Sequence, residues 1–302
     1  MTALAATLAL LAASPVVAPE QRAAPVPGAP TPPAWQTLAP GAARATLKTE
    51  EGQPIELLRF DLEHFRAAVV VGKGQPPQGR TAQELRQNRG AVAAVNGGFF
   101  DGRLVPLGLR IADGEQRFPL RPKADWGVLV LAGRRARIIH TRDYPSLPLE
   151  TEAAEQLPDR PGPTRQQDRQ NGQNGIDGAI QVGPRLLVDG APTKLRPQLA
   201  RRTAVALDEH GRELTLVVVP EPADANEVAE RLAAAGFANA MLLDGGPSTQ
   251  ASVELGDAHL EIAGGYPVPD LLAIFPRPAA HRKVNTPSPA PAPATKTTPR
   301  NP

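Results

Sequence analysis

The chain has 302 residues, 41% of them hydrophobic, a formal net charge of +2 and no cysteine. That length supports one core of roughly 200–250 residues with loose ends, and the lack of cysteine excludes disulfides and thiolate chemistry. Residues 277–302 carry Arg277, Arg282, Lys283, Lys296 and Arg300 and no acid, so subtracting those five from +2 leaves −3 for the remainder, which excludes a basic core for nucleic acid.

From the N-terminus, residues 1–18 read as a signal peptide: small and apolar residues run through Leu8, Leu10 and Leu11 to Val16-Val17-Ala18, which resembles a small-residue cleavage site. No Lys or Arg precedes the run, Pro19 follows the cut, and the apolar stretch is short for a membrane anchor. Residues 19–40 form a Pro/Ala-rich linker, residues 41–276 the domain, and residues 277–302 a disordered basic tail rich in Pro, Ala and Thr. If the leader stays attached, the linker lets the domain associate peripherally with a membrane or the envelope. Both ends lack periodic apolar residues, so removing 1–35 and 278–302 is expected to leave the melting temperature nearly unchanged.

Within the domain, short strands recur with hairpin-like connections: 55–60 with 66–71, 126–131 with 136–139, and 203–207 with 213–219. Two helices are announced by capping boxes, Thr81-Ala82-Gln83-Glu84 and Asp224-Ala225-Asn226-Glu227, and are closed by Gly90 and Gly236. Each helix leads into an apolar strand, Ala91–Val95 or Ala240–Leu243. The expectation is an α+β fold with mixed, largely antiparallel sheets, a few packed helices and a weak internal duplication of the helix–strand unit. Residues 151–175, rich in Gln and Asn, read as a polar insertion loop.

Both apolar strands end in a polar residue and a glycine pair: Asn96-Gly97-Gly98-Phe99-Phe100-Asp101 and Asp244-Gly245-Gly246. Glycine lets bare backbone approach whatever the polar side chain faces. Taken singly, either motif is an ordinary turn; two of them, one followed by a pair of aromatic residues in a chain with 4% aromatics, point to a small-molecule or sugar site.

Asn96-Gly97-Gly98-Phe99-Phe100, Gln181 to Gly190 (QVGPRLLVDG), Arg201-Arg202-Thr203-Ala204-Val205-Ala206 and Leu243-Asp244-Gly245-Gly246-Pro247-Ser248-Thr249 occur in the order seen in phosphodiester glycosidase domains. The resemblance runs from about Leu47 to Pro276, and departs from many relatives at Pro247 and Ala206, where glycine is common. It implies a hydrolase of sugar phosphodiesters, like the uncovering enzyme's domain and bacterial proteins linked to exopolysaccharide and cell-envelope glycans. Glycoside cleavage passes through an oxocarbenium-like state that carboxylates stabilise, and the acids attached to the glycine motifs are Asp101 and Asp244. A phosphate leaves as a stable anion, so a cation to neutralise it matters more than a strong acid. Arg202, with its planar fork, is the candidate. Asp244, Asp101 and Arg202 are thus the catalytic candidates, with Asn96, Gly97, Gly98, Phe99, Gln181, Gly245, Gly246 and Ser248 binding substrate. Gln181, between Ile180 and Val182 on a strand, is equally compatible with an orientation to solvent.

Other chemistries find little support. Ser248 lacks the second glycine of a nucleophile elbow. His64, His140, His210, His259 and His281 have no zinc spacing, and Gly72-Lys73-Gly74 lacks the rest of a phosphate-loop or dinucleotide motif. The motifs point to no particular cofactor, and a divalent cation held by Asp101, Asp244 and backbone oxygens stays open, because oxygen-ligand sites leave weak sequence traces. The expected protein is a periplasmic or secreted bacterial hydrolase acting on a carbohydrate or sugar-phosphate substrate, with no nucleic-acid partner and an oligomeric state the sequence leaves open. The rival is a non-catalytic glycan-binding domain of the envelope.

Overall fold

The computed structural model describes residues 32–146 and 175–278. The leader (1–18), most of the 151–175 insertion and the tail beyond Pro278 lie outside the described residues.

Three sheets among the described residues surround a central core, with smaller clusters on their outer faces. An eight-stranded sheet runs in the spatial order Gln36–Ala39, Ala42–Lys48, Pro54–Asp61, Glu213–Asp224, Leu199–Leu207, Asn239–Leu242, Arg185–Val188 and Ala191–Pro192. A five-stranded sheet orders Glu115–Phe118, Arg110–Ala112, Gly178–Val182, Gly127–Ala132 and Arg135–His140. Another orders Ala258–Ile262, Ala251–Leu255, Ala93–Asn96, Asp270–Pro276 and Phe65–Val71. Every strand pairing among the described residues is antiparallel.

Strand alternation explains how one sheet serves two cores. In Leu199–Leu207, Val205 and Leu207 enter the central cluster while Ala204 and Ala206 face the opposite side. The central cluster takes Leu58, Phe60 and Leu216 from the large sheet, Leu129 and Ile180 from the second, and Val95, Val253 and Leu272 from the third. The large sheet's outer face is covered by Val228, Ala229 and Leu232 of helix α2 (Ala225–Ala234). Leu85 of helix α1 (Ala82–Arg89) covers the third sheet's outer face.

The architecture is therefore sheet-dominated. The expected α+β layering of mixed, largely antiparallel sheets with a few packed helices gives way, among the described residues, to two α-helices laid on antiparallel sheets. The two helix–strand units are present, yet α1 leads into the third sheet and α2 into the first. The capping box at Thr81 closes on both sides, with Glu84 N donating to Thr81 Oγ1 and Thr81 N to Glu84 Oε2. At α2 the box stays open: Asp224 accepts from Asn226 N, and the Glu227 carboxylate instead accepts from Glu50 N. Gly236 closes that helix as expected: past the Ala235 cap it takes φ +88°, with Gly236 N donating to Ala233 O at 2.9 Å and Phe237 N to Leu232 O at 3.2 Å.

The 55–60 and 66–71 strands do not form a hairpin. Pro54–Asp61 pairs within the large sheet and Phe65–Val71 with Asp270–Pro276, so the short turn between them carries the chain from one sheet to another. Both strands carry apolar residues into the central cluster, which lets two sheets share them.

The ordered chain also extends past the boundaries read from sequence. Gln36–Ala39, inside the stretch read as linker, pairs with Ala42–Lys48, and Arg277 donates to the carbonyls of Leu62 (3.0 Å) and Phe65 (2.9 Å). The half-buried Trp35 lies with its ring 4.2 Å from the Arg59 guanidinium carbon and packs on the α2-side core. Removing residues 1–35 would strip that contact. Trp35→Ala is expected to lower stability by about 1 kcal/mol, visible as a drop of a few degrees in melting temperature; an unchanged melt would show that Trp35 contributes nothing.

Candidate active site

Strand ends from two of the sheets meet at one point, with a strand of the remaining sheet behind it. Ala93–Asn96 delivers Asn96, Asn239–Leu242 delivers Asp244 two residues past its end, and Gly178–Val182 delivers Gln181. The two glycine motifs are tied directly: Asp244 N donates to Gly97 O at 2.9 Å, and Asn96 Nδ2 donates to Asp244 O at 2.7 Å. Asn96 is fully buried, and its Oδ1 accepts from Thr203 Oγ1 at 2.7 Å and from Gln250 N at 3.2 Å. One side chain thus gathers backbone or side-chain groups from three other points of the chain.

Asp244 is half-buried. Its Oδ1 accepts from Gly245 N at 2.9 Å and its Oδ2 from Ser248 Oγ at 2.7 Å. Burial pushes its carboxyl above the usual aspartate value, against those two hydrogen bonds; nearby Asp270 pushes the same way and Arg110 opposes. A carboxylate held this way is poorly hydrated, so its field on an adjacent cation is strong.

The reason for the first glycine pair lies beneath it. Arg110 and Asp270 form an ion pair (Nε to Oδ2, 3.0 Å) with both side chains fully buried. Arg110 also donates to the carbonyls of Leu109 (3.0 Å), Gln181 (2.9 Å) and Phe99 (3.2 Å), while Asp270 Oδ1 accepts from Gly98 N at 2.9 Å. A Cβ at residue 97 would stand 1.8 Å from Asp270 Oδ1, and one at residue 98 would stand 2.4 Å from Arg110 Nη2. The glycines are there because the charge pair occupies that space. Sequence reasoning missed both partners, although a charged residue between Leu109 and Ile111 in an apolar strand, and an acid opening the apolar run Leu271–Ile274, were visible signals.

Other expected residues fall in different places. Gln181 is fully buried and its amide is consumed by the fold: Oε1 accepts from Leu109 N and Arg121 N, and Nε2 donates to Arg121 O and Thr141 Oγ1. It does not point to solvent. Asp101 caps its own turn, accepting from Arg103 N (2.9 Å) and Val105 N (3.0 Å), which hold its carboxyl below the usual value. No described hydrogen bond or ion pair joins Asp101 to Asp244.

Arg202 is buried, with its Cδ 4.0 Å from where a Cβ of Gly245 would stand. Its guanidinium donates to the carbonyls of Ala223 (Nε, 3.2 Å) and Gln198 (Nη2). One of its two bidentate edges, that of Nε and Nη2, is therefore engaged with backbone where the Leu199–Leu207 strand bulges. Phe99 packs edge-on to Trp126, ring centroids 5.1 Å apart, and Phe100 edge-on to Tyr266 at 6.0 Å. Pro247 sits in the Gly246–Ser248 turn and accepts from Gly265 N at 2.7 Å, docking the loop that carries Tyr266.

Among the described residues, no three His, Cys, Asp or Glu side chains come together to hold a metal ion, and no helix is long and apolar enough to cross a membrane.

No curated protein matches the chain. Among solved structures it is similar to the catalytic domain of zebrafish N-acetylglucosamine-1-phosphodiester alpha-N-acetylglucosaminidase, auto-inhibited by its pro-peptide, with a TM-score of 0.53 and 17% identity over 78% of this chain and 82% of that one. It is also similar to a hypothetical protein from Synechocystis, with a TM-score of 0.55 and 14% identity over 82% of this chain and 64% of that one. These likenesses speak to the fold. The sequence profile of the phosphodiester glycosidases matches residues 89–275, a span that begins at the end of α1 and takes in both glycine motifs, the buried ion pair and the Ser248 turn. With more than half of its length so matched, and with the motifs meeting at one point of the fold, the chain belongs to the phosphodiester glycosidase family.

Proposed function

We propose that the protein hydrolyses a sugar-1-phosphodiester bond in an envelope or extracellular glycan, after export from the cytoplasm. The observation that carries this reading is the half-buried Asp244 carboxylate, fixed by Gly245 and Ser248 and locked by its own backbone to Asn96 and Gly97. In the reaction the bond from the anomeric carbon to the phosphate oxygen breaks. Water supplies a hydroxyl to the sugar, and the phosphate monoester departs as an anion that needs little protonation.

Asp244 acts as the carboxylate that meets positive charge at the anomeric carbon. Asn96, Gly97, Gly98, Gly245, Gly246 and Ser248 shape the pocket around it, and Phe99 lines its wall. Arg202 contributes its charge beside Gly245, and binds phosphate oxygens through its Nη1–Nη2 end while Nε and Nη2 keep their backbone carbonyls. Asp101 remains a second acid of the site, and Gln181 acts from behind by holding Leu109 and Arg121.

A panel of sugar 1-phosphodiesters, simple glycosides and neutral oligosaccharides, each with and without divalent cations, tests the reading. Turnover is expected for the phosphodiesters. Arg202→Lys keeps the charge but loses the fork, and should lower kcat/KM on phosphodiesters at least about tenfold while changing glycoside binding less. Equal losses on both ligand classes, or losses that track a lowered melting temperature, would remove Arg202 from phosphate recognition. Oligosaccharide binding without any cleavage would make the protein a glycan-binding module.

A further inference from the structure

Among the described residues, Tyr266 is an aromatic side chain that combines exposure with a link, through Ser248, to Asp244. It is 43% exposed, while its backbone is held firmly. Gly265 N donates to Pro247 O at 2.7 Å, and the buried Gln250 donates through Nε2 to Tyr266 O at 3.2 Å while its Oε1 accepts from Ala82 N at 2.8 Å. A buried glutamine that ties an exposed tyrosine to a helix start presents a large ring to solvent with little freedom left to lose on binding.

The hydroxyl points inward. Tyr266 Oη lies 3.3 Å from Ser248 Oγ, and Ser248, 1% exposed, lies 2.7 Å from Asp244 Oδ2. A serine hydroxyl has one proton. With that proton given to the Asp244 carboxylate, the tyrosine must be the donor across the 3.3 Å contact. The three groups then form a directed chain, Tyr266 to Ser248 to Asp244, in which each bond polarises the next. The charged groups facing Asp244 from other elements are Asp270 and Arg110, and both are committed to each other. Tyr266 is thus the most exposed part of this network, and its ring stands edge-on to Phe100, 6.0 Å between centroids.

We propose that Tyr266 is a substrate-contacting and positioning residue, whose ring with Phe100 takes the apolar face of the sugar and whose hydroxyl, through Ser248, fixes the carboxylate that faces the anomeric carbon. The hydroxyl's part rests on the reading of Asp244 given above; the ring's part does not.

Two variants separate these parts. Tyr266→Phe keeps the ring: KM should stay within about twofold, kcat should fall about tenfold, the worth of one hydrogen bond passed on through Ser248, and the acid limb of the pH–rate profile should move to higher pH, because the carboxylate loses support. Tyr266→Ala removes the ring as well, and should weaken affinity for N-acetylglucosamine 1-phosphate at least about tenfold. A purely structural tyrosine would alter the melting temperature and leave the pH limb where it was. Failure of the wild-type protein to cleave the methyl phosphodiester of N-acetylglucosamine 1-phosphate, or any member of the panel, counts against the proposed hydrolysis. Equal affinity of wild type and Tyr266→Ala for N-acetylglucosamine 1-phosphate, or a Tyr266→Phe enzyme with wild-type kcat and pH limb, overturns the role of Tyr266.

Discussion

Asp244→Asn is expected to reduce turnover of a sugar phosphodiester by about a hundredfold to ten-thousandfold while leaving ligand affinity within a few-fold. The amide keeps the shape, still accepts from Gly245 N, and meets a Ser248 hydroxyl that can turn round to accept. Only the charge is lost. The same substitution should raise stability at neutral pH. Burial lifts the folded-state pKa of Asp244 above its unfolded value, so the native state holds the proton more tightly and its advantage is present at low pH. That advantage is lost as pH rises from the ordinary aspartate range through the raised value, and an uncharged asparagine never suffers it. Activity follows the opposite course, falling as pH drops through the raised pKa. An Asp244→Asn protein with wild-type turnover, or with a lower melting temperature at pH 7 than at pH 4 relative to wild type, would contradict this account.

The largest effect on the fold itself is expected from Asp270→Ala. It leaves the Arg110 guanidinium fully buried with no counter-charge and takes the acceptor from Gly98 N. Breaking one side of such a pair costs about 3–5 kcal/mol, a large share of the roughly 5–15 kcal/mol that holds a domain together. Arg110→Met combined with Asp270→Ala should be less harmful than the sum of the two single changes, because no bare charge remains. Midpoints of urea unfolding measure all three variants. An Asp270→Ala cost below about 1 kcal/mol would mean that water reaches the pair.

Much of the fold was legible because apolar runs and caps are local signals. Ala93–Asn96 and Asn239–Leu242 are interior strands as their continuous hydrophobicity predicts, and Thr81 and Asp224 do begin helices. The partnering of strands was less so: nothing in the turn at 61–65 says that the chain changes sheets, since either sheet would bury the same residues. In the site, the meeting of Asn96 with Asp244 could be anticipated from two matching motifs. The partners of Gln181 and Arg202 could not, because a buried amide and a buried guanidinium are satisfied by carbonyls that carry no residue identity. Arg110 and Asp270, separated by 160 positions in the sequence, were each plain as an isolated charge and invisible as a pair.

The 1.8 Å and 2.4 Å approaches at Gly97 and Gly98 make four positions one heritable unit. A methyl group on either glycine collides with a charge that cannot leave without stranding its mate, so each single step away from Gly97, Gly98, Arg110 and Asp270 passes through a less stable protein. Such a quartet should persist or disappear together among descendants of this chain, including any that have given up catalysis altogether. A relative that has lost Asp244 yet keeps all four would have retained the scaffold for some other use, whereas one that keeps Asp244 without them must support its loop by a different construction.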